Sequence, residues 1–173
     1  YISWGLYRRA SQMIQEAVTF SKQTHNKLGL VYYLGNLGWT KLELGEIEEA
    51  IRMLSETVEL ATQLGDTPLK SGSELSLAQA LLIQGKPAEA ARLIRKAYKQ
   101  VSGLEIADQA NSLAWLGAAQ LAMGQAKAAL RTTRKAVLLQ KKFGLQTVSA
   151  SDFPPQEIWW WHYAVLAAWL KGN

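Results

Sequence analysis

Apolar residues recur three and four positions apart along most of this chain. Between residues 47 and 64, Ile47, Ala50, Ile51, Leu54, Val58 and Ala61 fall on one stripe at helical spacing. Leu6, Ala10, Met13, Ile14, Ala17, Val18 and Phe20 do much the same in residues 6–24. So do Leu75, Leu77, Ala78, Leu81 and Leu82 in residues 68–84. No stretch alternates apolar and polar residues as a strand would, and no Asn-Gly hairpin signal appears. Turn residues punctuate the stripes. Gly65-Asp66-Thr67-Pro68 offers a residue to end one helix, a cap, and a proline suited to the first turn of the next. Gly85-Lys86-Pro87, Gly103 and Gly124 repeat this logic. The pattern predicts helices over 6–24, 26–44, 47–64, 68–84, 88–101, 104–123, 126–143 and 158–170, eight in all, and no sheet.

The helices carry a repeated spelling. Leu37-Gly38 is followed by Gly45, Ala50 and Thr57. Gly38 and Gly45 are seven residues apart, nearly on one helix face. Gly38 is then a point of close helix approach, and Gly45 the left-handed turn residue. Glu46, Glu48 and Glu49 follow, acids in a first turn where the helix dipole favours them. Leu77-Ala78, Gly85, Ala90 and Ala97 match this spelling with a shift of 40 residues. Leu116-Gly117, Gly124, Ala129 and Ala136 match one unit further on, and Gly5, Ala10 and Ala17 match upstream. A period near 40 with two helices per unit is a repeat architecture.

These residues resemble the tetratricopeptide repeat. Leu34, Leu37-Gly38, Gly45, Ala50 and Thr57 stand at its motif positions, as do Leu77, Gly85, Ala90 and Ala97, and then Leu113, Leu116-Gly117, Gly124, Ala129 and Ala136. Glu74 stands where the second unit should have its first large apolar residue. The period exceeds the family's usual one and is similar to the extended form in sensor arms of large bacterial regulators. The resemblance implies an all-α solenoid of antiparallel helix pairs, a right-handed superhelix whose concave face is lined by the first helix of each pair. The expected division of the single domain 1–173 is a half repeat 1–25, repeats 26–65, 66–103 and 104–143, a loop 144–157 and a half repeat 158–173. Both ends cut a repeat between its helices, so a fragment of a longer solenoid is expected. Trp4 and Leu6 at one end, and Trp159 to Trp169 at the other, are expected to support self-association.

Composition narrows the class. Apolar residues make up 49% of 173, enough for a packed core. There is no Cys, hence no disulfide framework and no thiolate chemistry, which agrees with a cytoplasmic setting. No secretory leader is visible. The longest apolar run, Ile158 to Leu170, is too short to span a bilayer, so no membrane partner is expected. His25 and His162 lie far apart in sequence without ligand spacing, and no phosphate-loop, dinucleotide or nucleophile-elbow motif occurs. Neither catalysis, a metal nor a cofactor is expected.

The net charge of +5 is unevenly spread. Residues 43–66 hold seven acids and one base, and residues 86–142 hold eleven bases and three acids. Arg92, Arg95, Lys96, Arg131, Arg134 and Lys135 would form a basic ridge on the second helices. Such a ridge suits an acidic partner or nucleic acid, but aromatic residues are not interleaved with it, which disfavours nucleic acid. The family's carboxylate clamp is absent, for its positions carry no Lys or Arg. Instead Tyr32, Gly35, Trp39, Leu75, Gln79, Asn111, Ala114 and Ala118, with Trp159 and His162 in the last half repeat, would line an apolar groove suited to a peptide or partner protein. The competing readings pack these side chains between helices or close the groove on a small ligand, as in a sensor within a regulator.

Overall fold

The computed structural model describes residues 2–101 and 106–142, together with 162, 164–166 and 169–171. Seven helices follow in order: α1 (Ile2–Gln23), α2 (Lys27–Glu43), α3 (Ile47–Leu64), α4 (Thr67–Ile83), α5 (Pro87–Val101), α6 (Ile106–Ala122) and α7 (Ala126–Lys142). Residues 164–166 and 169–171 are helical as well, and no strand occurs among the described residues. The expected loop 144–157, Gly103 and Trp159 lie outside them.

The local chemistry of the helix starts and stops follows the sequence closely. Asn26 caps α2, accepting from the Gly29 N–H at 2.9 Å, and Asp66 caps α4, accepting from Leu69 N–H at 2.9 Å. Pro68 sits in the first turn of α4, where its missing N–H costs nothing. Gly65 ends α3 with φ +70°, a left-handed conformation. The corresponding place after α1 is taken by His25, also left-handed at φ 55°. This departs from the pattern, because a side chain there is strained.

Chain contacts divide the protein into two compact units, residues 1–85 and 86–173, and the division falls inside the expected repeat 66–103. In the first unit, α1 packs on α2, α2 on α3 and α3 on α4, and α2 also touches α4. Val18, Leu34, Leu37 and Met53 join α1, α2 and α3, with Ile14, Leu30 and Leu60 against them. Leu42, Ala50, Leu54 and Ala80 join α2, α3 and α4. In the second unit α6 packs on α5 and on α7. Its core holds Ala110, Leu113, Ala114, Ala136 and Val137, with Tyr98, Trp115 and Leu139 alongside. Alanines at the repeated small positions (Ala50, Ala90, Ala129 and Ala136) are fully buried, since only a small side chain lets two helices approach this closely.

Two stripes sit differently from the expectation. On α3 the buried residues are Ala50, Met53, Leu54, Thr57 and Ala61, while Ile47, Ile51 and Val58 are half-buried. Thr57 can be buried because its hydroxyl donates to the Met53 carbonyl at 2.8 Å, leaving no orphaned donor. On α1, Leu6, Met13 and Phe20 are 62%, 71% and 65% exposed. They are seven residues apart and so share one face.

Candidate functional site

In the first unit, α2 carries the candidate aromatic residues. Tyr32 is 56% exposed, and Leu28, one turn before it, and Tyr33 beside it are exposed too. Gly35 is half-buried, and a β-carbon on it would sit 3.4 Å from Cγ2 of Thr57. Trp39 is half-buried, its ring 6.1 Å from that of Tyr7 on α1 at 66°, an edge-on contact. Leu28, Tyr32, Asn36 and Trp39 thus follow one another along one side of α2. On α4, Gly72 occupies the repeat position of Tyr32, and a β-carbon there would meet nothing within 4 Å. Gly72 therefore opens onto free space on α4.

The remaining candidates are placed less openly. Leu75 and Gln79 of α4 are buried in the first unit, and Asn111, Ala114 and Ala118 of α6 are buried in the second. Ala114 belongs to the core of its unit. His162 is half-buried, and its Nδ1 lies 2.9 Å from Oγ1 of Thr133. The Thr133 hydroxyl donates to the Ala129 carbonyl at 3.0 Å, which leaves its oxygen to accept from Nδ1–H of a neutral ring. Burial, and then the nearby Arg134 guanidinium, hold the His162 pKa below its usual value, favouring that neutral ring. Trp159 lies outside the described residues.

The acids that open α3 act beyond their dipole. Lys41 near the end of α2 reaches Glu46 at 2.6 Å and Glu49 at 3.1 Å, and Arg52 approaches Glu49 at 3.8 Å. The ion pairs clasp the Gly45 turn. Their hydrogen bond, first among the causes, raises the Lys41 pKa and lowers that of Glu46. The sequence held this signal as a lysine four residues before the turn glycine and acids after it. Leu28, Tyr33 and the burial of Glu74 were missed. Glu74 is fully enclosed although its repeat position calls for an apolar residue.

All six ridge residues, Arg92, Arg95 and Lys96 on α5 and Arg131, Arg134 and Lys135 on α7, are exposed. Among the described residues no group of three or more His, Cys, Asp or Glu could hold a metal ion. No helix among them is long and apolar enough to cross a membrane.

Two tetratricopeptide-repeat signatures match this chain, one at residues 26–64 and the other at 73–96 and 110–135, together more than half of its length. The chain belongs to the tetratricopeptide repeat family. Tetratricopeptide repeats generally mediate protein–protein interaction. No curated protein matches the sequence. Among solved structures, this tetratricopeptide repeat chain is similar to a variant of a candidate kinesin light chain from Podosopora anserina with nearly identical TPR-like repeats. The TM-score is 0.67 at 19% identity, covering 95% of this chain and 84% of that one. It is also similar to BtubC (BKLC) from P. vanneervenii, with a TM-score of 0.73 at 17% identity, covering 86% of this chain and 62% of that one. At these identities the likeness shows the fold, an all-α helical-repeat solenoid.

Proposed function

We propose that this tetratricopeptide repeat protein is a non-catalytic interaction module that takes a peptide or a partner protein along the exposed side of α2. The observation that carries the reading is Tyr32, more than half exposed in mid-helix between exposed Leu28 and half-buried Trp39. A large flat ring presented to solvent beside an exposed leucine suits an apolar side chain of an extended segment. Aromatic anchors of this kind carry much of the binding energy in such contacts. The repeat units 26–65, 66–103 and 104–143 are proposed as the structural periods of the chain, the first of them presenting this surface. Leu75 and Gln79, buried in the same unit, then support it from within the packing rather than by contact. In a larger regulator, the same surface would make the chain a sensor arm.

The test is selection from a displayed random-peptide library against the intact chain, followed by affinity measurement on Tyr32→Ala and Trp39→Ala. Enrichment of peptides with apolar residues and a loss of about tenfold or more on Tyr32→Ala, with an unchanged melting temperature, is the expected result. Tyr32 is the cleaner probe, because Trp39 also supports Tyr7. Selected peptides that bind Tyr32→Ala as well as the parent chain overturn the proposal.

A further inference from the structure

The outer faces of α5 and α7 carry one pattern twice. Arg92, Arg95 and Lys96 on α5 recur as Arg131, Arg134 and Lys135 on α7, a shift of 39 residues. Both helices pack on α6 in the same compact unit. On α7 the division of faces is clean. Ala129, Thr133, Ala136, Val137 and Gln140 are buried, while Lys127, Arg131, Arg134, Lys135 and Lys141 are exposed. The helix contains no acid at all, and α5 contains only Glu89.

Folding does not call for this arrangement. Arg131 stands three residues from Arg134 and four from Lys135, so like charges repel along the helix surface. Lys127 lies in the first turn, where the helix dipole disfavours a cation. Among the described residues, none of Arg92, Arg95, Arg131, Arg134 and Lys135 takes part in an ion pair with its neighbours. The same scaffold accepts the opposite sign elsewhere. One period before Arg92, Arg95, Lys96 and Lys99, α3 carries Arg52, Ser55, Glu56 and Glu59. A solvated face kept only for solubility has no need to exclude every acid from α7.

Leu138 decides the kind of anion. It is 54% exposed on the basic face, one turn after Arg134 and Lys135 and just short of one turn before Lys141. The corresponding residue of α5 is Lys99. A phosphate chain gains nothing from an exposed leucine among the cations, and no exposed aromatic ring on α7 offers a base a stacking surface. A peptide that places an apolar side chain among carboxylates matches both parts of the face.

We infer that the outer face of α7, centred on Leu138 and the cations around it, docks an acidic peptide segment carrying an apolar residue among its carboxylates. This surface lies on other helices than the Tyr32 surface and stands or falls separately from it. The measurement is fluorescence anisotropy of the intact chain with three labelled probes at about 50 mM salt and again at about 200 mM. One probe is a Glu- and Asp-rich peptide with a central leucine. The second has serine in place of that leucine, and the third is a single-stranded oligonucleotide of equal charge. The leucine peptide is expected to bind best and to weaken with salt. Combined Arg131→Glu and Arg134→Glu should weaken it about tenfold or more, and Leu138→Ser about threefold, with the melting temperature held in both. Equal affinity for the leucine and serine peptides overturns the inference, as does unchanged binding by Leu138→Ser. Tighter binding of the oligonucleotide overturns it in favour of a nucleic-acid surface, and absence of binding by all three removes the surface altogether.

Discussion

A β-carbon placed on Gly38 would lie 2.8 Å from Cγ of Leu54, nearer than real β-carbons come. The two residues seat α3 against α2. The atom in the way is the branch point of the leucine rather than its tip, so relief requires movement of the helix or an unfavourable rotamer. Gly38→Ala is therefore expected to destabilise the chain by about 1–3 kcal/mol. Leu54→Ala, at a fully buried site, should cost about 2–5 kcal/mol. The double substitution should cost less than the sum, because removing the leucine removes the clash. Denaturant unfolding of the four proteins in the cycle checks this, and strict additivity would show that the two sites do not meet.

The left-handed turn at His25 makes the opposite forecast. Every other left-handed residue among those described is a glycine. His25→Gly is expected to raise stability, by up to about 1 kcal/mol, by removing the steric penalty of the side chain. Thermal unfolding of the single variant reads this directly.

The clasp around Gly45 should show in acid. The folded-state pKa of Glu46 is lowered, chiefly by its hydrogen bond to Lys41. Its contribution is full above the unfolded carboxylate value and disappears as pH falls through the folded value. Lys41, with a raised pKa, contributes fully below its unfolded value and loses that contribution as pH rises through the folded one. Glu46→Gln should flatten the acid limb of the stability profile relative to the parent. A parallel limb in both proteins would show that solvent already screens the pair.

His162 titrates closer to neutrality. Its folded pKa is depressed by burial and by Arg134, so on acidification the unfolded chain takes up the proton first. The stability that depends on His162 staying neutral in its half-buried place beside Arg134 is present above the unfolded histidine value and is lost as pH falls through the folded value. Hydrogen exchange of the α7 amides between about pH 7.5 and pH 5 should reveal the loss, after correction for intrinsic exchange rates. His162→Gln should remove that pH dependence.

The exposed stripe of Leu6, Met13 and Phe20 leads to a forecast about association. Apolar side chains aligned on one helix face tend to find a partner surface. The chain is expected to self-associate at high concentration, and Met13→Lys with Phe20→Lys should shift its sedimentation toward the monomer. Monomeric behaviour of the parent at the highest attainable concentration would remove the expectation.

The helices and turns were legible because their causes are local. A glycine at a left-handed turn, an Asn or Asp cap and a proline in a first turn act within a few residues. The small positions were legible too, since Gly38, Ala50, Ala90 and Ala129 recur with the repeat. The inner face of α3 was harder to place. A threonine that satisfies its own hydroxyl can replace an apolar residue there, as Thr57 does, and Ile51 is pushed toward the edge. Candidate groove residues were selected by family spacing, which gives the side of a helix but not what covers it. Tyr32 and Leu75 are both placed on the groove side by that spacing. Tyr32 is open and Leu75 is enclosed, because the difference depends on neighbours in other helices. Charges beyond the turn were misjudged for the same reason: the acids that open α3 had a lysine partner on the preceding helix.

In each compact unit, every major contact joins helices adjacent along the chain. Few residues far apart in sequence must meet before packing begins, so the entropy of closing large loops scarcely slows folding. Such topologies fold on the microsecond-to-millisecond scale, and any neighbouring pair of helices can serve as the starting point. A ribosome emitting this chain would release structure pair by pair, with α1 and α2 able to lock together while α7 is still being synthesised.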